Sequence, residues 1–345
     1  MLVAAKRARR QVCLALLLIL PLSAGLAKLA AVDDMNDDMC AGDMMWMVGW
    51  CLDGITSDAS VPTASAVSSA EYIGAFETID VPLPGVVGTR AFGINARGDI
   101  VGSYTVGAVT HGYLRSRGTF TTIDYPGAVN TEAWGINPRG DIIGRYTLAG
   151  VAGTRGFLLS HGTFTDISIR KPDQTYHAAT LPTKIGASGE IVGCIHDRGG
   201  LLDMYGYVQR GDFVTTMQLS TTTSGPTGSS AMHNGITPGG GTIVGLTLPT
   251  GPTSRAYVVT RGTFTFVDFP GSTFTQLWDV NPDGVMVGNY TLNGHVNGLS
   301  IDADGYHTIN VDNSTLTVAR AINPQGNIVG VYNNALGAHG FVLRR

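Results

Sequence analysis

The residues best suited to chemistry lie in one short run, "GCIHDRGGLLDMY", from Gly193 to Tyr205. Cys194 and His196 are two apart, so on a strand both side chains face the same way. With Asp197 or Asp203 orienting the imidazole, a thiol nucleophile and a histidine base would suit covalent catalysis. The spacing opposes it, because residues i and i+2 of a strand stand about 7 Å apart, beyond a direct sulfur–imidazole hydrogen bond. A thiolate outside the cell is also prone to oxidation.

Other polar residues stand out near this run. Arg198 lies within it, His177 lies in "RKPDQTYHAATLPTK" (170–184), His233 in "STTTSGPTGSSAMHNG" (220–235), and His295 in "LNGHVNG". Together His177, His196, Asp197, Arg198, Asp203, His233 and His295 suit a polar ligand site on loops better than acid–base catalysis, because few carboxylates accompany them. Solvated loop residues are the plainer alternative. Phe92, Trp134 and Trp278 recur at equivalent places and would either stack on sugars or fill the contact between neighbouring units. No HExxH, GxSxG, P-loop or EF-hand pattern is present, and no cofactor is expected.

What positions these residues is a repeat. "GINARGDIVGSY" (93–104), "GINPRGDIIGRY" (135–146) and "AINPQGNIVGVY" (321–332) are one phrase. The glycine of its "IVG" recurs at Gly102, Gly144, Gly193, Gly245, Gly288 and Gly330, at steps of 42 to 52 residues. Each unit reads as four short strands. The first hairpin turns on an Asn-Pro-x-Gly type sequence, and the second on Arg117-Gly118, His161-Gly162, Arg210-Gly211 or Arg261-Gly262. A four-stranded unit of about 40–50 residues has the period of a propeller blade. A lone meander cannot bury both faces, whereas stacked ones can.

The ends of the repeat predict how it closes. The last unit stops at Arg345 after three strands, and the region opens with "FETIDVPLPG" (76–85), a fourth-strand phrase like "FTTIDYPG" (120–127). The expectation is all-β: a six-bladed β-propeller of four-stranded antiparallel blades, closed by pairing the N-terminal strand (about 76–82) with the C-terminal blade.

The phrases "GINxxGxIVGxY", "HGYL" (111–114), "HGFVL" (339–343) and "GTFxxIDYPG" resemble the HAF family of extracellular repeat proteins. The resemblance covers roughly 76–345, implies secretion, and carries over no catalytic residue. His111 and His339 hold a fixed place in the repeat, which predicts a structural hydrogen bond.

The N-terminus agrees with export. Lys6, Arg7, Arg9 and Arg10 precede the apolar Val12–Leu22, and small residues allow cleavage after Ala27. An uncleaved anchor is the alternative, although the uncharged run is short and contains Pro21. The plan is a signal peptide (1–27), an Asp/Met-rich segment (28–52), a Ser/Ala/Thr-rich linker (53–75) and the propeller (76–345). After cleavage no stable membrane span remains. Cys40 and Cys51 would pair in an oxidising compartment, or remain two free thiols. "DDMNDDMCAGDMMWMVGWC" (33–51) lacks histidine and any defensible ligand spacing, so no metal is expected.

The formal charge of −4 becomes −8 if the four basic residues leave with the signal, and gives no footprint for nucleic acid. The function expected is a secreted, non-enzymatic binding module for an extracellular protein, carbohydrate or small molecule. Its site would be the rim formed by the long loops of blades three and four. The alternative is a hydrolase or lyase acting on carbohydrate or a small molecule at the channel mouth.

Overall fold

The turn chemistry of the repeat builds its hairpins. In the computed structural model, which describes residues 74–170, 179–196, 204–217, 230–248 and 254–345, the Asn95 side-chain oxygen accepts from Arg97 N (2.9 Å) and Asp99 N (3.0 Å). Asn137 does the same for Arg139 and Asp141, and Asn281 and Asn323 repeat the device. At the second hairpin Arg117 (φ 51°) and Gly118 (φ 84°) are both left-handed, as are His161 with Gly162 and Arg261 with Gly262. That pair of positive angles matches the twist of two-residue hairpins. The third unit differs: its strands end at Arg210 and resume at Phe213, so the turn is Gly211-Asp212. Only the glycine there needs positive φ (57°).

The described residues are all-β and propeller-like, with 24 strands and no helix. After β1 (Ala75–Ile79) come antiparallel meanders in chain order. The first is β2 (Val86–Ile94), β3 (Ile100–Val106), β4 (Val109–Ser116) and β5 (Thr119–Ile123). The second is β6 (Ala128–Ile136), β7 (Ile142–Leu148), β8 (Arg155–Ser160) and β9 (Thr163–Ile167). The third is β10 (Ala179–Ile185), β11 (Ile191–His196), β12 (Met204–Arg210) and β13 (Phe213–Met217). The fourth is β14 (Ser230–Ile236), β15 (Thr242–Leu248), β16 (Arg255–Thr260) and β17 (Thr263–Val267). The fifth is β18 (Phe274–Val280), β19 (Met286–Leu292), β20 (His295–Asp302) and β21 (Gly305–Ile309). The last run is β22 (Leu316–Ile322), β23 (Ile328–Asn334) and β24 (Gly337–Arg344).

β1 pairs antiparallel with β24, placing Thr78 opposite Phe341. The strands do not fall into separate four-stranded sheets throughout. Single parallel pairs, Val296 with Leu316 and Gly88 with Ala338, join the fifth meander, the last run and the first meander into one twelve-stranded sheet. The same parallel contact occurs between Thr154 and Ala179 and between Ser254 and Phe274. In these four places the start of a third strand meets the start of the next meander.

The core lies between successive meanders. Val101 and Ile123 of the first pack with Ala133, Ile136 and Phe157 of the second. Ile79 and Val81 pack with Ala91, Ile100, Val329 and Val342. A threonine near the start of five of the six first strands fastens the joint: Thr131 Oγ1 accepts from Tyr125 N (3.0 Å), and Thr89, Thr180, Thr275 and Thr317 repeat the bond.

Candidate functional site

The site is made by one irregularity repeated in six strands. Each of β2, β6, β10, β14, β18 and β22 carries a β-bulge against its partner, and the extra residues are Phe92, Trp134, Thr183, Asn234, Trp278 and Arg320. A bulged residue leaves the ladder, so its side chain is re-aimed. The bulge also presses the carbonyls of Arg90, Glu132, Leu181, Met232, Gln276 and Val318 onto the next strand. A Cβ at Gly102, Gly144, Gly193, Gly245, Gly288 or Gly330 would collide with them. The recurrent glycine of the repeat therefore serves the bulge.

Two of the six bulge residues bind meander to meander. The Thr183 hydroxyl lies 2.7 Å from His233 O, and Asn234 Nδ2 donates to Leu277 O (2.8 Å). The other four converge. Phe92 stacks on Trp134 at 4.4 Å between centroids and 14° between planes. Trp134 of the second meander meets Trp278 of the fifth at 6.0 Å. The Arg320 guanidinium lies 3.8 Å from the Trp278 centroid and 5.6 Å from that of Trp134. Arg145, from β7, lies 3.6 Å over Trp134.

The indole N–H groups are anchored. Trp134 Nε1 donates to Glu132 (3.0 Å) and Trp278 Nε1 to Asn289 (2.9 Å). The guanidiniums are less well served. Arg145 Nε and Arg320 Nε and Nη1 are buried without a hydrogen-bond partner among the described residues. Burial lowers the pKa of Arg145, with Glu132 opposing the shift. Arg320 is lowered to about 9, first by burial and then by repulsion from Arg145, with Glu132 opposing and Arg90 adding to the shift. Solvent still reaches the site, since Arg90, Glu132, Arg145, Trp278 and Arg320 are all half-buried. Arg90 and Glu132 precede the bulges, so this opening faces the rim where the long connections lie.

A second axial layer is self-contained. Lys184 Nζ pairs with Asp279 Oδ2 at 2.5 Å, from third meander to fifth, and that oxygen also accepts from Ile322 N (3.0 Å). Burial raises the Asp279 pKa, opposed by Lys184 and two backbone N–H groups. Chemically, this layer is a clamp, whereas the layer above it presents unfilled cationic donors.

The sequence-predicted site residues are scattered. His177, Asp197, Arg198 and Asp203 lie outside the described residues, as do Cys40 and Cys51. His196 ends β11 and is half-buried. His295 is exposed at the start of β20, in a polar cleft of about 240 Å³ with Asn297, Asn310 and Asp312. His233 corrects its assignment to a loop: it sits in β14 at 2% exposure. It bonds Tyr257 through Nδ1 (2.5 Å), and burial lowers its pKa to about 4. It occupies an inward strand position held elsewhere by Ala91, Ala133 and Leu277, so it is a core residue. Cys194 is fully buried and its thiol is pushed up to about 12 by burial, which removes it as a nucleophile. His111 and His339 do make structural bonds, to Asp124 (3.0 Å) and Asp80 (2.9 Å).

The aromatics do in part what was expected: Phe92 and Trp134, of neighbouring meanders, stack on each other, whereas Trp134 also meets Trp278 of a non-adjacent meander. Arg145, Arg320, Glu132 and Asn289 were missed. The available signal was a charged residue at repeat positions otherwise held by Ser103, Cys194 and Val331, or by aromatics.

No family model matches the chain, and no curated protein matches it. Among solved structures, a streptogramin B lyase is similar at 14% identity and TM-score 0.41, covering 78% of this chain and 98% of that one. An Aleuria aurantia lectin in complex with Fucalpha1-6GlcNAc shows 11% identity and TM-score 0.46, with 75% and 92% covered. A gluconolactonase from Xanthomonas campestris shows 12% and 0.43, with 74% and 86% covered.

Proposed function

We propose that the chain is a secreted, six-bladed propeller of the HAF type, acting as a non-enzymatic binding module whose ligand enters the axis from the rim of the long connections. Five meanders plus the run β22–β24 completed by β1 make six four-stranded units. The inner strands neighbour one another in order, β2 to β6, β10, β14, β18 and β22, and β22 neighbours β2 again. That order supports a closed ring, and the single parallel pairs that merge three units are contacts between blades. Secretion rests on the basic and apolar pattern of residues 6–27.

One observation carries the binding reading: Arg145 and Arg320 converge on Trp134 with buried donors that no atom of the described residues satisfies. Buried donors without partners cost about 1–3 kcal/mol each, more when charged, and they are retained where something else fills them. A thiol mechanism is disfavoured by the full burial of Cys194, the nucleophile of the Cys194–His196 pair.

The test is a panel of sugars, sugar acids and small metabolites titrated against the secreted protein, followed by tryptophan fluorescence and thermal shift. The expected result is saturable binding that Trp278→Ala weakens, with the bound compound recovered unchanged by mass spectrometry. Recovery of a cleaved or eliminated product would replace the binding reading with an enzymatic one.

A further inference from the structure

We propose that the axial cluster takes a small organic anion through a carboxylate, held by the paired guanidiniums of Arg145 and Arg320 beside the half-exposed indole of Trp278. This inference rests on the binding reading above and assigns its ligand class.

Charge is the first argument. Arg145 and Arg90 both repel Arg320, and Glu132 is the carboxylate that acts on both Arg145 and Arg320. The local excess is two positive charges, within a chain whose formal charge is −4. Uncompensated charge at half-buried positions is costly, and a bound anion removes that cost. Lys184 cannot share the anion, because Asp279 already neutralises it at 2.5 Å.

Geometry is the second. A guanidinium flat against an aromatic ring keeps its N–H fork free at the edge, which matches the two oxygens of a carboxylate. Arg145 lies 3.6 Å over the Trp134 ring and Arg320 3.8 Å over that of Trp278, close enough for such stacking, and Arg145 Nε and Arg320 Nε and Nη1 have no hydrogen-bond partner among the described residues. Indole stacking also fixes rotamers that a free arginine would sample, so part of the ordering cost is met before binding.

Size is the third. Trp134 and Trp278 approach to 6.0 Å between centroids across the axis, and Phe92 closes on Trp134 at 4.4 Å. A polymer cannot thread through that gap. The ligand is therefore a small molecule, or the acidic end of a chain, entering from the side of Arg90 and Glu132.

The experiment titrates the secreted protein with malonate, galacturonate, galactose and inorganic phosphate at matched ionic strength, reading tryptophan fluorescence and melting temperature. Malonate and galacturonate should bind saturably and raise the melting temperature, whereas galactose should not. Arg145→Met and Arg320→Met should each weaken malonate at least tenfold, and Arg320→Lys should recover only part of the loss. The unliganded Arg320→Met protein should melt no lower than the parent, since an apolar side chain replaces a charge with unfilled donors. A lower unliganded melting temperature with malonate affinity unchanged would make Arg320 a structural residue and overturn the proposal. An equal response to phosphate would also overturn it, as a generic anion effect. Galactose binding that Trp278→Ala abolishes would keep the binding module while overturning the anion assignment. Silence from every probe and from the wider panel would overturn both.

Discussion

Replacing Ile79 by alanine tests whether the N-terminal strand is part of the folding unit or an attachment to it. Ile79 is 1% exposed and packs in the same cluster as Val81, Ala91, Val329 and Val342, which joins β1, the last run and the first meander. Truncating a buried isoleucine costs about 2–5 kcal/mol, through lost transfer energy and the cavity left behind. In a domain of this size each kcal/mol moves the melting temperature by about 2–4 °C, so a cost of about 3 kcal/mol predicts a fall of about 6–12 °C. The control is Val87→Ala, at 62% exposure, which should shift melting by about 1 °C or less. The assay is calorimetry with circular dichroism at a strand wavelength. If β1 frays independently, Ile79→Ala will loosen that strand alone and the main transition will stay with the control. Coincident main transitions for the two variants would refute closure as a cooperative feature.

Other outcomes follow from the same geometry. Deleting Phe76–Pro82 should lower melting far more than deleting residues 33–70, because it removes the whole β1–β24 pairing and the Glu77 ion pairs with Arg115 and Arg344. Gly144→Ala should cost about 1–3 kcal/mol in urea unfolding, since its Cβ meets the Glu132 carbonyl; Gly241→Ala, with open space around it, should be near neutral. His233 should make stability pH-dependent. Its folded pKa of about 4 lies below the ordinary 6.5, so between those values the unfolded chain takes up a proton that the folded chain refuses. Stability then falls by up to about 3 kcal/mol as pH drops from 6.5 to 4, and His233→Leu should flatten that part of the profile.

Much of the architecture is written in local chemistry. Asn95, Asn137, Asn281 and Asn323 specify their turns through bonds two and four residues away, and Arg117-Gly118 specifies a hairpin by its backbone angles alone. Such interactions involve neighbours in sequence, so they are legible without coordinates. The incomplete last unit and the orphan strand at 76–82 likewise foretold the pairing of Thr78 with Phe341, because an unpaired strand edge needs a partner. Even the glycine spacing was visible, although its cause, a carbonyl pushed across by a bulge, was not.

The candidate site was legible only in part. Phe92, Trp134 and Trp278 were visible as recurring aromatics, but their meeting across the axis was not. His233 looked like a loop residue because its blade departs from the repeat, yet the strand runs through it and buries it. Arg145 and Arg320 belong to units where charge stands in a position built for apolar or small groups, 175 residues apart in the chain. The sequence alone determined the all-β strands and most of their turns, since these are decided within about fifty residues. Only the tertiary structure decided what meets at the centre. Six bulges re-aim six unlike side chains, of which four converge and two bond neighbouring meanders, and no local rule states which of them will touch.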